Sequence, residues 1–364
     1  MAHRVVLAGG GTGGHVYPAL AMGDALLARG HQLFYYGDAG RLEGRVAPER
    51  GYAFRAVEAA QYPRGGVLAK LRFAFALLRS IRAARRLLRA DQASLVLGVG
   101  GYVMAPTVLA AWTLGIPAAI HEANVTPGLA NQLCARVASL VLLTYAETAR
   151  HLRSRAPIEE VGCPVNPKIL GGDRAAAAER YGLDPAHPTL LVVGGSLGAA
   201  TINKIGIAVA QRAGREFQVV HVTGPKYHDE VRKAYGTLPA RFALVGYEDR
   251  IGDAYALADL VVGRAGSSTL AELCAVGRGS VLIPSPNVTE NHQEGNARAL
   301  EAAGAARVYV EKGLDVAEVV ERIVADMSDG AALQARSAAA ARLGRPQVAD
   351  RVADLLEQNF GRGR

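Results

Sequence analysis

The sequence predicts an α/β protein made of two doubly wound parallel-sheet domains. Short apolar runs alternate with helix-like stretches from one end to the other, the pattern of parallel sheets covered on both faces. The pattern also starts twice with the same unit of apolar strand, glycine turn and helix: "VVLAGGGTGGHVYPALA" at 5–21 and "TLLVVGGSLGAATINK" at 189–204. Finally, 364 residues are many for one core and comfortable for two.

The elements follow in order. In the first half "RVVLAGG", "QLFYYG", "SLVLGVGG", "PAAIHEAN" and "LVLLTY" read as strands, each followed by a helical stretch. The linker is placed near Cys163–Asp173, where "CPVNP" carries two prolines, giving domains of 1–163 and 164–344. In the second half "TLLVVGG", "EFQVVHVTG", "RFALVGY", "DLVVGRAG" and "GSVLIPSP" repeat the alternation. A last helix at about 345–360 lies beyond the second domain's final strand and is expected to pack back on the first domain.

Composition narrows the class. Half of the residues are hydrophobic and a fifth are charged, as in a soluble globular protein. Cys134, Cys163 and Cys274 are far apart and in no metal spacing, which fits buried reduced thiols. The first strand begins within a few residues of Met1, so no signal peptide is expected. No apolar run approaches the ~18 residues of a membrane span.

The net charge of +8 has one source. Arg64, Lys70, Arg72, Arg79, Arg82, Arg85, Arg86 and Arg89 lie in an interval without acids, between Glu58 and Asp91. Arg72, Arg79, Arg82, Arg86 and Arg89 share one helical face, and Val67, Leu68, Leu71, Phe73, Phe75, Leu77, Leu78 and Ile81 interleave. A basic amphipathic helix of this kind fits an anionic membrane surface. A solvated basic face on a core helix is the alternative, and nucleic acid is not expected.

Six motifs carry chemistry. Gly9, Gly11 and Gly14 fit G-x-G-x-x-G, with Asp38 near the place of a ribose-binding acid. Taken alone, this favours a dinucleotide enzyme, but the extra glycines suit close approach of a bulky polar group. The second turn, "GGSLGA", offers Ser196, Leu197 and Gly198 to a diphosphate. In "GRAGSSTLAELCAVG", Ser267, Ser268 or Thr269 can cap a helix from which Glu272 projects toward ribose hydroxyls. "PSPNVTENHQEGNARAL" places His292, Gln293 and Asn296 on one side of a helix, where amides read sugar hydroxyls. "HEANVTPGLANQL" sets Glu122 and Asn124 at a strand's carboxyl end, and "GVGGYVMAP" sets Tyr102 at another.

In this order and at these intervals the motifs resemble the MurG family of peptidoglycan N-acetylglucosaminyltransferases, over about residues 4–358. The resemblance implies the GT-B fold, two Rossmann-like domains facing across a cleft. It implies transfer of N-acetylglucosamine from UDP-N-acetylglucosamine to lipid I, forming lipid II with inversion. Another UDP-sugar transferase of this fold, or a UDP-N-acetylglucosamine epimerase, is the alternative. By resemblance the donor meets Ser196, Leu197, Gly198, Glu248, Arg264, Ser267, Glu272, His292, Gln293 and Asn296. Thr12, Gly13, Gly14, His15 and Asn124 border its sugar. The acceptor meets Gly11, Thr12, Gly14, Tyr102 and Asn124, and Leu71, Phe75, Leu78, Arg72, Arg79, Arg82 and Arg86 form a membrane patch. Position 166 departs from the family: Asn166 stands where an arginine is expected near the donor phosphates, and Lys168 or Arg264 is the candidate substitute.

The acceptor hydroxyl needs a base, either His15 or Glu122. A histidine titrates in the useful range without tuning, which favours His15. The chain holds no Asp-x-Asp, so no obligatory metal or other cofactor is expected. The resemblance also implies a peripheral enzyme at the cytoplasmic face of the cell membrane, beside other cell-wall synthesis and division proteins.

Overall fold

The computed structural model describes residues 2–63, 65–212, 216–288 and 291–361. They form two compact units, Met1–Val165 with Gln347–Arg364, and Asn166–Pro346. Arg64, counted above in the basic segment, lies outside the described residues.

In the first unit, β1 (Arg4–Ala8), β2 (Gln32–Gly37), β3 (Ala53–Ala56), β4 (Leu95–Gly98), β5 (Ala118–Glu122), β6 (Leu140–Leu143) and β7 (Ile158–Glu160) form one parallel sheet. Its order is β3-β2-β1-β4-β5-β6-β7. The direction of winding reverses between β1 and β4, so the loops leaving these strands part at a switch point where ligands gather. The helices are α1 (Gly13–Ala28), α2 (Leu42–Glu49), α3 (Val67–Ala90), α4 (Met104–Leu114) and α5 (Leu129–Cys134). Successive β1 residues face opposite layers: Val5 and Leu7 join a core with Leu20 and Leu26, Val6 and Ala8 one with Met104 and Val108. Both faces are covered, which is why β1 reads as a continuous apolar run.

The second unit repeats this plan. Its helices and strands run α6 (Pro167–Leu170), α7 (Arg174–Tyr181), β8 (Thr189–Val193), α8 (Ala200–Arg212), β9 (Gln218–Val222), α9 (His228–Tyr235), β10 (Phe242–Val245) and α10 (Ile251–Leu257). They continue with β11 (Leu260–Gly263), α11 (Ser267–Ala275), β12 (Ser280–Leu282), α12 (His292–Ala302), β13 (Ala306–Val308), α13 (Val316–Ser328) and α14 (Gly330–Leu343). The parallel sheet is ordered β10-β9-β8-β11-β12-β13, with its switch point between β8 and β11.

The last helix, α15 (Val348–Phe360), belongs to the first unit. Val348, Val352, Leu355 and Leu356 enter the core under α1. Arg29 Nη1 lies 2.6 Å from Asp354 and 3.1 Å from Glu357, and His31 Nε2 lies 3.0 Å from Glu357.

Helix α3 has two faces. Ser80, Ala84 and Leu88 are buried, and the helix packs on α4. On the opposite side Val67, Leu68, Leu71, Phe75 and Leu78 are 52–74% exposed, and Arg72, Arg79, Arg82 and Arg86 are exposed beside them. Among the described residues no helix is long and apolar enough to cross a membrane.

Candidate functional site

The turn after β1 leaves no room for side chains. A methyl at Gly9 would lie 2.4 Å from Val99 Cγ2, and one at Gly10 would lie 1.9 Å from Glu43 Oε1. Gly11 adopts φ 91°, open to glycine at little cost. Thr12 then takes the N-cap position of α1, but its hydroxyl caps no backbone amide. Instead it lies 3.3 Å from His15 Nδ1. The first amides of the helix, Gly13 and Gly14, have no acceptor within the helix and carry the positive end of its dipole. His15 stands in the same turn, its ring packed on Gly100, where a methyl would come within 2.6 Å of Cδ2. Helix-start amides without a side-chain cap and an imidazole therefore share one helical turn.

Tyr102 and Asp38 are joined. The Tyr102 hydroxyl donates to Asp38 Oδ2 at 2.9 Å, and Gly40 N donates to Asp38 Oδ1 at 2.9 Å. Asp38 thus holds two loops together, a different task from the ribose role its position suggested.

Glu122 ends β5 and is buried. One of its oxygens accepts from Asn124 N at 2.9 Å and Asn124 Nδ2 at 3.1 Å. The other accepts from Gly128 N at 3.1 Å and Asn131 Nδ2 at 2.6 Å. Burial raises its carboxyl above the ordinary range, and the four bonds pull the other way. Each oxygen accepts two bonds, so the group anchors the 122–131 loop. Asn124 belongs to the same network, and its carbonyl accepts from Thr148 Oγ1 at 3.0 Å.

In the second unit the turn after β8 is closed by Gly198 N donating to Gly195 O at 3.0 Å. Gly195 and Gly198 have φ of 88° and 76°. A methyl at Gly198 would meet Thr223 O at 2.0 Å, because the loops leaving β8 and β9 touch. Ser196 and Leu197 stand exposed at the tip. Helix α11 starts at Ser267, which is buried, after Gly266, with no side-chain cap. Glu272, farther along α11, accepts from the Tyr255 hydroxyl at 3.1 Å, and burial pushes its carboxyl up to about 7.

Several expected donor ligands have structural work. Asn166 Oδ1 caps α6 by accepting from Lys168 N at 3.1 Å, which accounts for an amide at this position. Glu248 accepts from Arg180 Nη1 at 2.9 Å, Arg250 N at 2.7 Å and the Tyr181 hydroxyl, so its carboxylate ties its own turn to α7. Arg264 donates to Ile283 O at 3.0 Å and to both oxygens of Glu311, at 2.6 and 3.2 Å. Burial favours a neutral Glu311, but Arg264 and Thr201 outweigh it and hold the carboxyl below its usual range. The charge of Arg264 is thus already met in part, which weakens it as a substitute for the missing arginine. Gln293 Oε1 accepts from Ser285 N at 2.9 Å and steadies the loop before α12. Asn296 is fully buried, with Nδ2 3.4 Å from Ala265 O, a contact that ties α12 to the loop after β11. His292 is the first residue of α12 and half-buried.

Sequence reasoning missed Glu43, Asn131, Asn203 and Glu311. Asn203 donates to Thr223 O at 3.1 Å and pairs with His221 Nε2 at 3.0 Å. Its signal was a polar residue on the face of α8 shared by Ile202, Ile205 and Val209, all buried. Glu43 and Glu311 carry no such signal, since an acid in a first helical turn or in a loop is ordinarily solvated. Among the described residues no group of three or more His, Cys, Asp or Glu could hold a metal ion.

Comparison with known proteins matches residues 5–143 to the glycosyltransferase family 28 N-terminal domain and residues 189–352 to its C-terminal domain. The chain is 38% identical to the UDP-N-acetylglucosamine--N-acetylmuramyl-(pentapeptide) pyrophosphoryl-undecaprenol N-acetylglucosamine transferase of Halothermothrix orenii, over 97% of this chain and 98% of that one. It is 41% identical to the like-named protein of Clavibacter sepedonicus, over 96% and 95% of the two chains. Among solved structures, MurG of Acinetobacter baumannii superposes with a TM-score of 0.81 at 27% identity, over 98% of this chain and 99% of that one.

Proposed function

The chain belongs to glycosyltransferase family 28, and from that premise we propose how its residues divide the transfer of N-acetylglucosamine. It is a UDP-N-acetylglucosamine-dependent hexosyltransferase of the GT-B fold that converts lipid I to lipid II for peptidoglycan synthesis. The first unit takes the acceptor and the second the donor. The observation that carries this division is the turn after β1, where Thr12 engages His15 and leaves the α1 amides to an anion.

The amides of Gly13 and Gly14 receive the acceptor diphosphate. The His15 imidazole takes the proton of the muramoyl 4-hydroxyl as that oxygen attacks the anomeric carbon, which inverts. The leaving diphosphate gains negative charge. Ser196, the amides of the Gly194–Ala199 turn and the uncapped start of α11 supply the positive potential it needs. Glu272 accepts the ribose hydroxyls, and the start of α12, with His292 and Gln293, faces the sugar. Glu122 and Asn124 shape the acceptor side through their loop. With these dipoles in place and no Asp-x-Asp in the chain, no obligatory metal is assigned.

The acceptor has a polyprenyl tail, and the outer face of α3 supplies the matching surface. Its exposed Leu71, Phe75 and Leu78 enter the lipid while Arg72, Arg79, Arg82 and Arg86 meet anionic headgroups. This makes the enzyme peripheral at the cytoplasmic face of the membrane, where other wall-synthesis and division proteins work. The deciding experiment is UDP release from UDP-N-acetylglucosamine with and without a lipid I analogue. Release that needs the analogue supports the assignment. Release without any acceptor points to an epimerase, and release only with another acceptor points to another transferase of this fold.

A further inference from the structure

We propose that Glu43 is a positioning residue for the acceptor: a buried carboxylate that stands in the first glycine turn where a phosphate would otherwise sit, and so directs the acceptor's anion to Gly13 and Gly14. The inference rests on the reading of that turn as the acceptor's. Glu43 lies in the first turn of α2 and is fully buried. Gly11 N donates to its two oxygens at 3.3 and 3.1 Å, and Asp38 N donates to Oε1 at 3.2 Å. Among the described residues it is met by backbone amides and by no lysine or arginine. The fit is close on both sides: a methyl at Gly10 would overlap Oε1 at 1.9 Å, and one at Gly37 would lie 2.6 Å from Cγ.

These contacts join the carboxyl ends of three neighbouring strands. Gly11 follows β1 and Asp38 follows β2. Asp38 takes the Tyr102 hydroxyl from the loop after β4 at 2.9 Å. That loop returns to the start: a methyl at Gly101 would lie 2.3 Å from Gly10 O, one at Gly100 would meet the His15 ring at 2.6 Å, and one at Gly11 would lie 3.7 Å from the Tyr102 ring. Glu43 thus sits at the root of a closed circuit that ends on His15. Two consequences follow. The Gly11 amide is already used, and the negative charge beside it repels a diphosphate from the first part of the turn. The anion is left the amides of Gly13 and Gly14, one step closer to the imidazole. The glycine turn is therefore selective against a nucleotide pyrophosphate although it fits the dinucleotide spacing.

The test is Glu43→Gln in the full chain, with Glu43→Asp as its partner. The glutamine has the same shape and keeps one accepting oxygen, but it loses the charge, and its NH2 group faces the Gly11 amide and cannot accept from it. With a lipid I analogue, kcat is expected to fall tenfold or more, toward the order of 100-fold that about an ångström of misplacement costs, and the acceptor KM to rise. The KM for UDP-N-acetylglucosamine should stay within about twofold. Glu43→Asp, which keeps the charge but withdraws it, should recover part of kcat. A parent-like kcat and acceptor KM in Glu43→Gln overturns the inference. So does a loss spread equally over donor and acceptor parameters in proportion to unfolded protein in both variants. His15→Ala, measured alongside, separates the two claims: full turnover with an unchanged acceptor KM there removes the acceptor reading of the turn, whereas its collapse beside a normal Glu43→Gln removes the role of Glu43 alone.

Discussion

Donor binding should be linked to a proton through Glu272. Burial lifts this carboxyl to about 7, and the bond from Tyr255 opposes the rise without cancelling it. Ribose hydroxyls donate to the ionised carboxylate, so a bound donor selects that form. The sign follows: affinity is full above pH 7 and is lost as pH falls through 7. Starting from a value of about 7, the ionised fraction falls from about 0.9 at pH 8 to about 0.1 at pH 6, a roughly tenfold weakening worth about 1.4 kcal/mol. UDP-N-acetylglucosamine is the right probe, because its doubly esterified diphosphate keeps a constant charge over this range. UDP itself is not, because a terminal phosphate titrates near pH 6. Titration calorimetry at pH 6, 7 and 8, in two buffers of different ionisation heat, reads both the affinity and the protons exchanged. Near pH 7 about half a proton should be released on binding. Glu272→Gln should bind more weakly at pH 8 and show a flat profile. An affinity constant within twofold from pH 6 to pH 8, or the same slope in Glu272→Gln, refutes the linkage.

His15→Ala should lower turnover by about 10²–10⁴-fold while leaving UDP-N-acetylglucosamine affinity nearly unchanged; near-normal turnover in a steady-state assay rejects the base. Glu122→Gln swaps one accepting oxygen for a donor among four donors, and should cost about 1–3 kcal/mol of stability. A thermal melt equal to the parent's would mean the loop needs no such anchor. Leu71→Ser combined with Phe75→Ser should weaken binding to anionic vesicles by tenfold or more, since each apolar side chain is worth about 1.5–3 kcal/mol on burial. Sedimentation reads this directly, and a parent that ignores such vesicles at low salt removes the membrane role of α3.

Much of the architecture is legible because its signals are local. Strands such as "LVLG" and "TLLVV" are buried on both faces, and a continuous apolar run states that without any knowledge of neighbours. The three strands the sequence does not announce, β3, β7 and β13, all lie at sheet edges. There burial is partial and the apolar signal fades, as in β3 and β7, where no residue is fully buried. The glycine turns were legible for the same local reason. Gly195 and Gly198 need positive φ wherever the rest of the chain goes.

The site divides along the same line. Sequence alone determined that two strand–glycine–helix starts exist, that His15 opens the first helix and Glu272 projects from another, and that α3 carries a basic and apolar face. Those are facts of spacing, and a helix or turn converts spacing into direction within a few residues. Only the tertiary structure decided which polar groups are already spoken for. Glu122 faces four donors, Asn166 caps a helix, Asn296 is buried under a loop, and Glu311 draws on Arg264 from 47 positions away. A carboxylate or amide looks the same in sequence whether it meets a substrate or a backbone amide. The difference lies in burial and in partners brought from distant strands, and those exist only once the chain has folded. Glu43 shows this most clearly, since its charge means little in sequence and becomes, beneath Gly11, the anion around which the first turn is built.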